Sequence, residues 1–168
     1  DIKKLNCEKI LILGDYAMAG PQPKEAVEYF MKGYSCSESV VQSAIDKGYA
    51  PKELLSAATP FSGGMGVRCL CGAVAGAMLV IGSMYGKNDN RDGMKARTLA
   101  KQYHEKFGQK YKVNCCKVLS AGFSDFHSPE RKHHCCSMVN DSCEILEKLL
   151  KENFSNISQL SFTIEQQW

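Results

Sequence analysis

Residues 69–86, CLCGAVAGAMLVIGSMYG, run for eighteen positions without a formal charge. Such a stretch has to be covered, either by the rest of the chain or by lipid. Five of its residues are glycine or serine, so it is less apolar than a spanning helix, and a buried central helix is the expectation. Gly72, Ala73, Ala75, Gly76 and Ala77 give that helix a face that other backbones can approach closely. Left partly uncovered, the same face would suit a homodimer interface. The glycine-rich turn before it, with Gly63, Gly64 and Gly66, permits backbone angles closed to other residues and can turn amide N–H groups toward a neighbour. These three glycines and Gly72 are therefore candidate cofactor-lining positions. Cys71 falls at the helix N-terminus, where the dipole favours a thiolate.

The remaining punctuation is also helical. Proline and glycine stops, capping residues and a 3.6-residue apolar period predict helices over 7–19, 24–32, 36–47, 52–58, 93–108, 115–119 and 130–153. Ser35 with Glu38 three residues later reads as a capping box that puts Cys36 at the first helical position. No period-2 alternation stands out. The predicted fold is all-α, a single-domain helical bundle around the small-residue-rich helix. It divides into an N-terminal extension (1–23), a cysteine-bearing domain (24–152) and a C-terminal tail (153–168).

Nine cysteines in 168 residues, and the absence of any CxxC, shape the chemistry. The absence of CxxC argues against a thioredoxin-like dithiol, most zinc ribbons and covalent c-type haem. The cysteines instead form dispersed groups: Cys36, Cys69 with Cys71, Cys115 with Cys116, and Cys135 with Cys136. The first three groups lie at predicted helix starts, whose amides suit an anionic centre. Cys7 and Cys143 read as core residues. His133 and His134, next to Cys135, could replace a sulfur ligand as in Rieske centres, but beside Arg131 and Lys132 they read as a solvated basic turn. The glycine loop lacks the Lys-Ser/Thr of a phosphate-binding loop, and no Ser/His/Asp or paired-carboxylate pattern appears. A net charge of +3 with no basic-aromatic cluster argues against nucleic acid. The polar opening residues carry no secretory pattern, so a reducing cytoplasm is expected.

Cys71-Gly72-Ala73-Val74-Ala75-Gly76 has the form CGAxxG. Upstream, Gly33-Tyr34-Ser35-Cys36-Ser37-Glu38-Ser39-Val40 looks like G-Y-N-C-A-Q-A-V. Downstream, Cys116-Lys117-Val118-Leu119 looks like C-R-x-L, and Cys135 followed by Val139-Asn140-Asp141 looks like C-x-x-x-V-R-D. Together with Gly82-x-x-Tyr85-Gly86, these motifs resemble the C_GCAxxG_C_C family of redox-active proteins across roughly residues 24–150. The resemblance implies redox activity and singles out Cys36, Cys71, Cys116 and Cys135. Ligand number and softness then favour an iron–sulfur cluster held by those four, [2Fe–2S] first. The alternatives are a zinc-binding module and a metal-free thiol–disulfide protein. Cys69, Cys115 and Cys136 fall outside the four-cysteine pattern, as spares, substitute ligands or halves of a regulatory disulfide. The expected role is an electron carrier or an oxidoreductase component, acting with a redox partner protein.

Overall fold

The structure is a computed structural model that describes residues 24–165, with side chains described over 25–153. The predicted helix over 7–19 and the core role of Cys7 lie outside the described residues. Seven α-helices follow in order: α1 (Lys24–Met31), α2 (Cys36–Asp46), α3 (Leu54–Ala58), α4 (Gly72–Tyr85), α5 (Met94–Tyr111), α6 (Cys116–Leu119) and α7 (Pro129–Glu165). Among the described residues there is no strand, only isolated antiparallel bridges such as Leu70 with Cys115. None of their helices is long and apolar enough to cross a membrane.

The uncharged stretch becomes α4, and the bundle is built on it. Ala73, Val74, Ala77, Val80 and Ile81 are buried, with α2, α5 and α7 packed around them. The packing against α2 is the most extensive, and it depends on a missing side chain. A Cβ on Gly76 would stand 2.7 Å from the Ser37 carbonyl oxygen and 3.2 Å from the Ser37 Cα. The small residues are there to let two backbones meet.

Behind α4 a buried polar chain ties three helices together. Ser142 on α7 donates its one proton to the Ala73 carbonyl at 2.8 Å, so Tyr103 on α5 must donate to the Ser142 oxygen. Burial pushes the Tyr103 phenol well above its ordinary value, which keeps that donor protonated. Helix α5 continues past Gly108, the predicted stop. Phe107 and Tyr111 stack at 4.7 Å between centroids, and Tyr111 donates to Asp141 on α7, so tertiary contacts carry the helix through the glycine. Helix α7 likewise extends well beyond the predicted end near 153.

The capping box at α2 forms as read. The Ser35 amide donates to Glu38 Oε2 at 2.8 Å, and the Glu38 amide donates to Ser35 Oγ at 3.3 Å. Thr59 adds a bond to Glu38 Oε1 at 2.6 Å. Burial works to raise the Glu38 pKa, but the bonds from Thr59 and Ser35 outweigh it and hold the carboxyl below its ordinary value. A depressed folded-state pKa contributes stability that is present above the unfolded pKa and lost as pH falls through the folded one. Glu38→Gln should therefore lower thermal stability at pH 7 and leave little difference from wild type in strongly acidic buffer. A melting comparison at both pH values checks it; an equal gap at the two would contradict the assignment.

Candidate functional site

The site gathers at one end of α4. Residues Gly64–Arg68 form a wide turn closed by the Cys69 amide donating to the Gly64 carbonyl at 3.0 Å. Gly63, Gly64, Met65, Gly66 and Arg68 all have positive φ, the backbone condition for which the glycines were singled out. A Cβ on Gly64 would stand 2.9 Å from the Cys116 Cβ and 2.7 Å from the Cys69 amide nitrogen. One on Gly72 would collide with Cys36 Sγ, and one on Gly63 would press on the Phe126 ring at 3.3 Å. Gly66 meets nothing within 4 Å, so its role is conformational.

Two backbone bonds bring the second and third cysteine groups side by side. The Cys71 amide donates to the Asn114 carbonyl at 2.8 Å, and the Cys116 amide donates to the Cys69 carbonyl at 2.5 Å. Cys71 then serves as the residue before α4, Cys116 opens α6, and Cys36 opens α2. Cys135 comes from the first turns of α7, where Arg131 Nη1 approaches its sulfur at 3.5 Å.

These four thiols share one neighbourhood. Burial pushes Cys71 up to about 12, and charge on Cys36 and Cys135 adds to the rise. Burial pushes Cys135 up to about 11; Arg131 pulls the other way, while Cys36 and Cys116 add to the rise. Cys116 is raised by burial and by Cys36, against Arg131 and Arg68. The expectation that the helix dipole would favour a Cys71 thiolate is thus not met. The amides of Val74 and Ala73 do act in that direction, but removal of the sulfur from water outweighs them.

The other cysteines separate by direction. Cys136 is fully buried, with its sulfur 3.7 Å from Met31 Sδ and from the Lys132 carbonyl. It is a core residue, turned about 100° around the helix from Cys135. Cys143 is buried in the core as expected. Cys115 faces the Arg68 carbonyl at 3.7 Å, and Cys69 is exposed. His134 is not a solvated turn residue: its Nε2 lies 2.9 Å from the Leu119 carbonyl and its ring packs on Phe123 at 5.1 Å. Among the described residues, no group of three or more His, Cys, Asp or Glu side chains stands where it could hold a metal ion.

Sequence reading missed Arg68, Phe126 and Arg131. The guanidinium carbons of Arg68 and Arg131 lie 4.4 and 4.0 Å from the centroid of the Phe126 ring. The spacing Arg131 to Cys135, one helical turn, was the available signal.

Reactivity follows from these environments. In reduced, metal-free protein at pH 8, iodoacetamide should label the exposed Cys69 well before Cys71 or Cys143, both held near 12 by burial. The same raised values make the fold sensitive to alkali. A folded-state thiol pKa above the unfolded value of 9.0 gives stability that is complete below 9 and lost as pH rises toward 12. Peptide mapping of the labelled protein and unfolding curves from pH 8 to 11 check both statements.

The fold defines an all-α domain in which Cys36, Cys71 and Cys116 stand at or just before helix starts around one end of a buried helix. The chain belongs to the C_GCAxxG_C_C family: residues 34–149 match the model described as "Putative redox-active protein (C_GCAxxG_C_C)". Neither the curated proteins nor the solved structures contain a match to it.

Proposed function

We propose that this redox-family protein carries an iron–sulfur cluster, [2Fe–2S] first, on Cys36, Cys71, Cys116 and Cys135, and passes electrons to a protein partner. The observation that carries this reading is geometric: Cys36 Sγ lies against Gly72, the residue after Cys71, while the Cys116–Cys69 backbone bond and the Gly64 contact set Cys116 beside the same turn. The donor set fits the group: four soft thiols, Gly72 leaving room for the Cys36 sulfur, and two guanidiniums near Cys116 to offset thiolate charge. Burial holds Cys71, Cys116 and Cys135 protonated through raised pKa values, so binding has to displace their protons, as thiolate ligation requires. The sulfurs are not preset around one ion, so the reading includes a closing of the cysteine segments on assembly.

When bound, such a cluster supplies one-electron exchange. The chain supplies the surroundings: amides at the start of α4, the positive charge of Arg68 and Arg131, and a buried wall that excludes water from Cys71. A partner would approach the turn and α6, where Met65, Val67 and Val118 are exposed beside the site. Anaerobic reconstitution followed by an absorption spectrum and iron and sulfide analysis tests the proposal. A visible band with equal iron and sulfide supports it. Colourless protein with a cysteine disulfide would transfer the function to thiol–disulfide exchange, and bound zinc without iron would make it a zinc module.

A further inference from the structure

Arg68 ends the glycine turn and Arg131 lies in the first turn of α7, and the two meet on one aromatic ring. Both guanidinium carbons lie within 4.4 Å of the Phe126 centroid, so two positive charges are held against one ring. Two positive charges on one ring attract an anion more strongly than either alone. Among the described residues, neither arginine forms an ion pair with a carboxylate. Both Nε atoms are buried and without a hydrogen-bond partner. Orphaned buried donors are costly, and two on cations at one ring repeat that cost.

The backbone is also bent to the purpose. Arg68 has φ 60, a region that residues with a Cβ seldom adopt. That conformation ends the glycine turn with the guanidinium over Phe126, and the ring in turn packs against Gly63. Arg131 reaches the same ring from the first turn of α7, with only its Nη1 engaged by Cys135. Phe126 holds both guanidiniums against its ring, and with each Nε buried it is their terminal Nη groups that a ligand would meet.

We infer that Arg68, Phe126 and Arg131 form a binding site for a small oxyanion, a carboxylate or phosphate group, at the edge of the cysteine group. The ligand accepts from the guanidinium Nη groups and supplies, in the metal-free protein, the negative charge that no carboxylate provides there. Its position beside Cys116 and Cys135 makes an acidic small molecule the class of substrate or effector admitted to the redox site. The site needs no iron, so its test is separate from that of the cluster.

The experiment uses reduced, metal-free full-length protein, titrated at constant ionic strength with inorganic phosphate and, separately, with malonate. Calorimetry reads the affinity, and arginine side-chain NMR reads the location. One saturable site is expected, with shifts at Arg68 and Arg131; the tighter of the two probes identifies the ligand's anionic group. Arg68→Gln and Arg131→Gln should each weaken binding by about tenfold to a hundredfold, the loss of a charge-assisted hydrogen bond. Arg131→Gln also removes the contact to Cys135, so Arg68→Gln is the cleaner variant, with circular dichroism confirming its fold. Lys101→Gln, on the exposed face of α5, should leave the affinity unchanged. Failure of both probes to saturate the wild-type protein, or unchanged affinity in both glutamine variants, would overturn the inference.

Discussion

Cys71→Ser should abolish the visible absorption of anaerobically reconstituted protein, and Cys36→Ser, Cys116→Ser and Cys135→Ser should do the same. Each of these four sulfurs lies in the shared neighbourhood, and each variant removes one thiolate bond from the proposed centre. Serine keeps the size and a hydrogen bond but is a far poorer ligand for a soft metal. Cys136 offers no rescue for Cys135, because its sulfur is fully buried against Met31 on another side of α7. Cys143→Ser and Cys136→Ser should leave the spectrum intact and cost stability instead, on the order of 1 kcal/mol. Absorption together with iron content per chain separates the two groups. A Cys71→Ser protein that retained full colour would remove Cys71 from the site.

The second large effect falls on stability. Gly76→Val should destabilise the fold by about 1–3 kcal/mol or more, because overpacking here meets backbone that cannot swing aside. Its Cβ would already press on the Ser37 carbonyl and lie 3.2 Å from the Val40 Cβ, and the two added methyls have nowhere better to go. Gly82→Ala, in the same helix, should do the reverse. Nothing lies within 4 Å of that position, so the gain of about 0.5–1 kcal/mol from removing a helical glycine is realised. Urea unfolding of both variants tests the pair. Equal effects would mean that the α2–α4 approach is looser than the Ser37 distances state.

Local signals were the legible ones. Ser35 and Glu38 lie three residues apart, and their capping box is decided within one turn, so its form was readable before any tertiary contact was known. The burial of α4 was likewise written in its lack of charge. Long-range balances were not readable in the same way. Helix α5 passes Gly108 because Tyr111 finds Asp141, thirty residues on, and a propensity argument cannot see that bond. Cys71 has the dipole that position predicts, yet its ionisation is governed by how much water the other helices exclude. Arg68, Phe126 and Arg131 belong to three segments with no common period, so only the folded chain places them together. For Cys135 and Cys136, adjacency alone could not tell their directions; on α7 the first meets Arg131 and the second packs against Met31.

The most direct test of the central claim is a crystal structure of the anaerobically reconstituted protein. The account predicts one iron–sulfur cluster ligated by Cys36, Cys71, Cys116 and Cys135 beneath the glycine turn, with Cys136 and Cys143 remaining in the core. A structure of fully reconstituted protein with those four sulfurs free of iron, or joined in a disulfide, would contradict it.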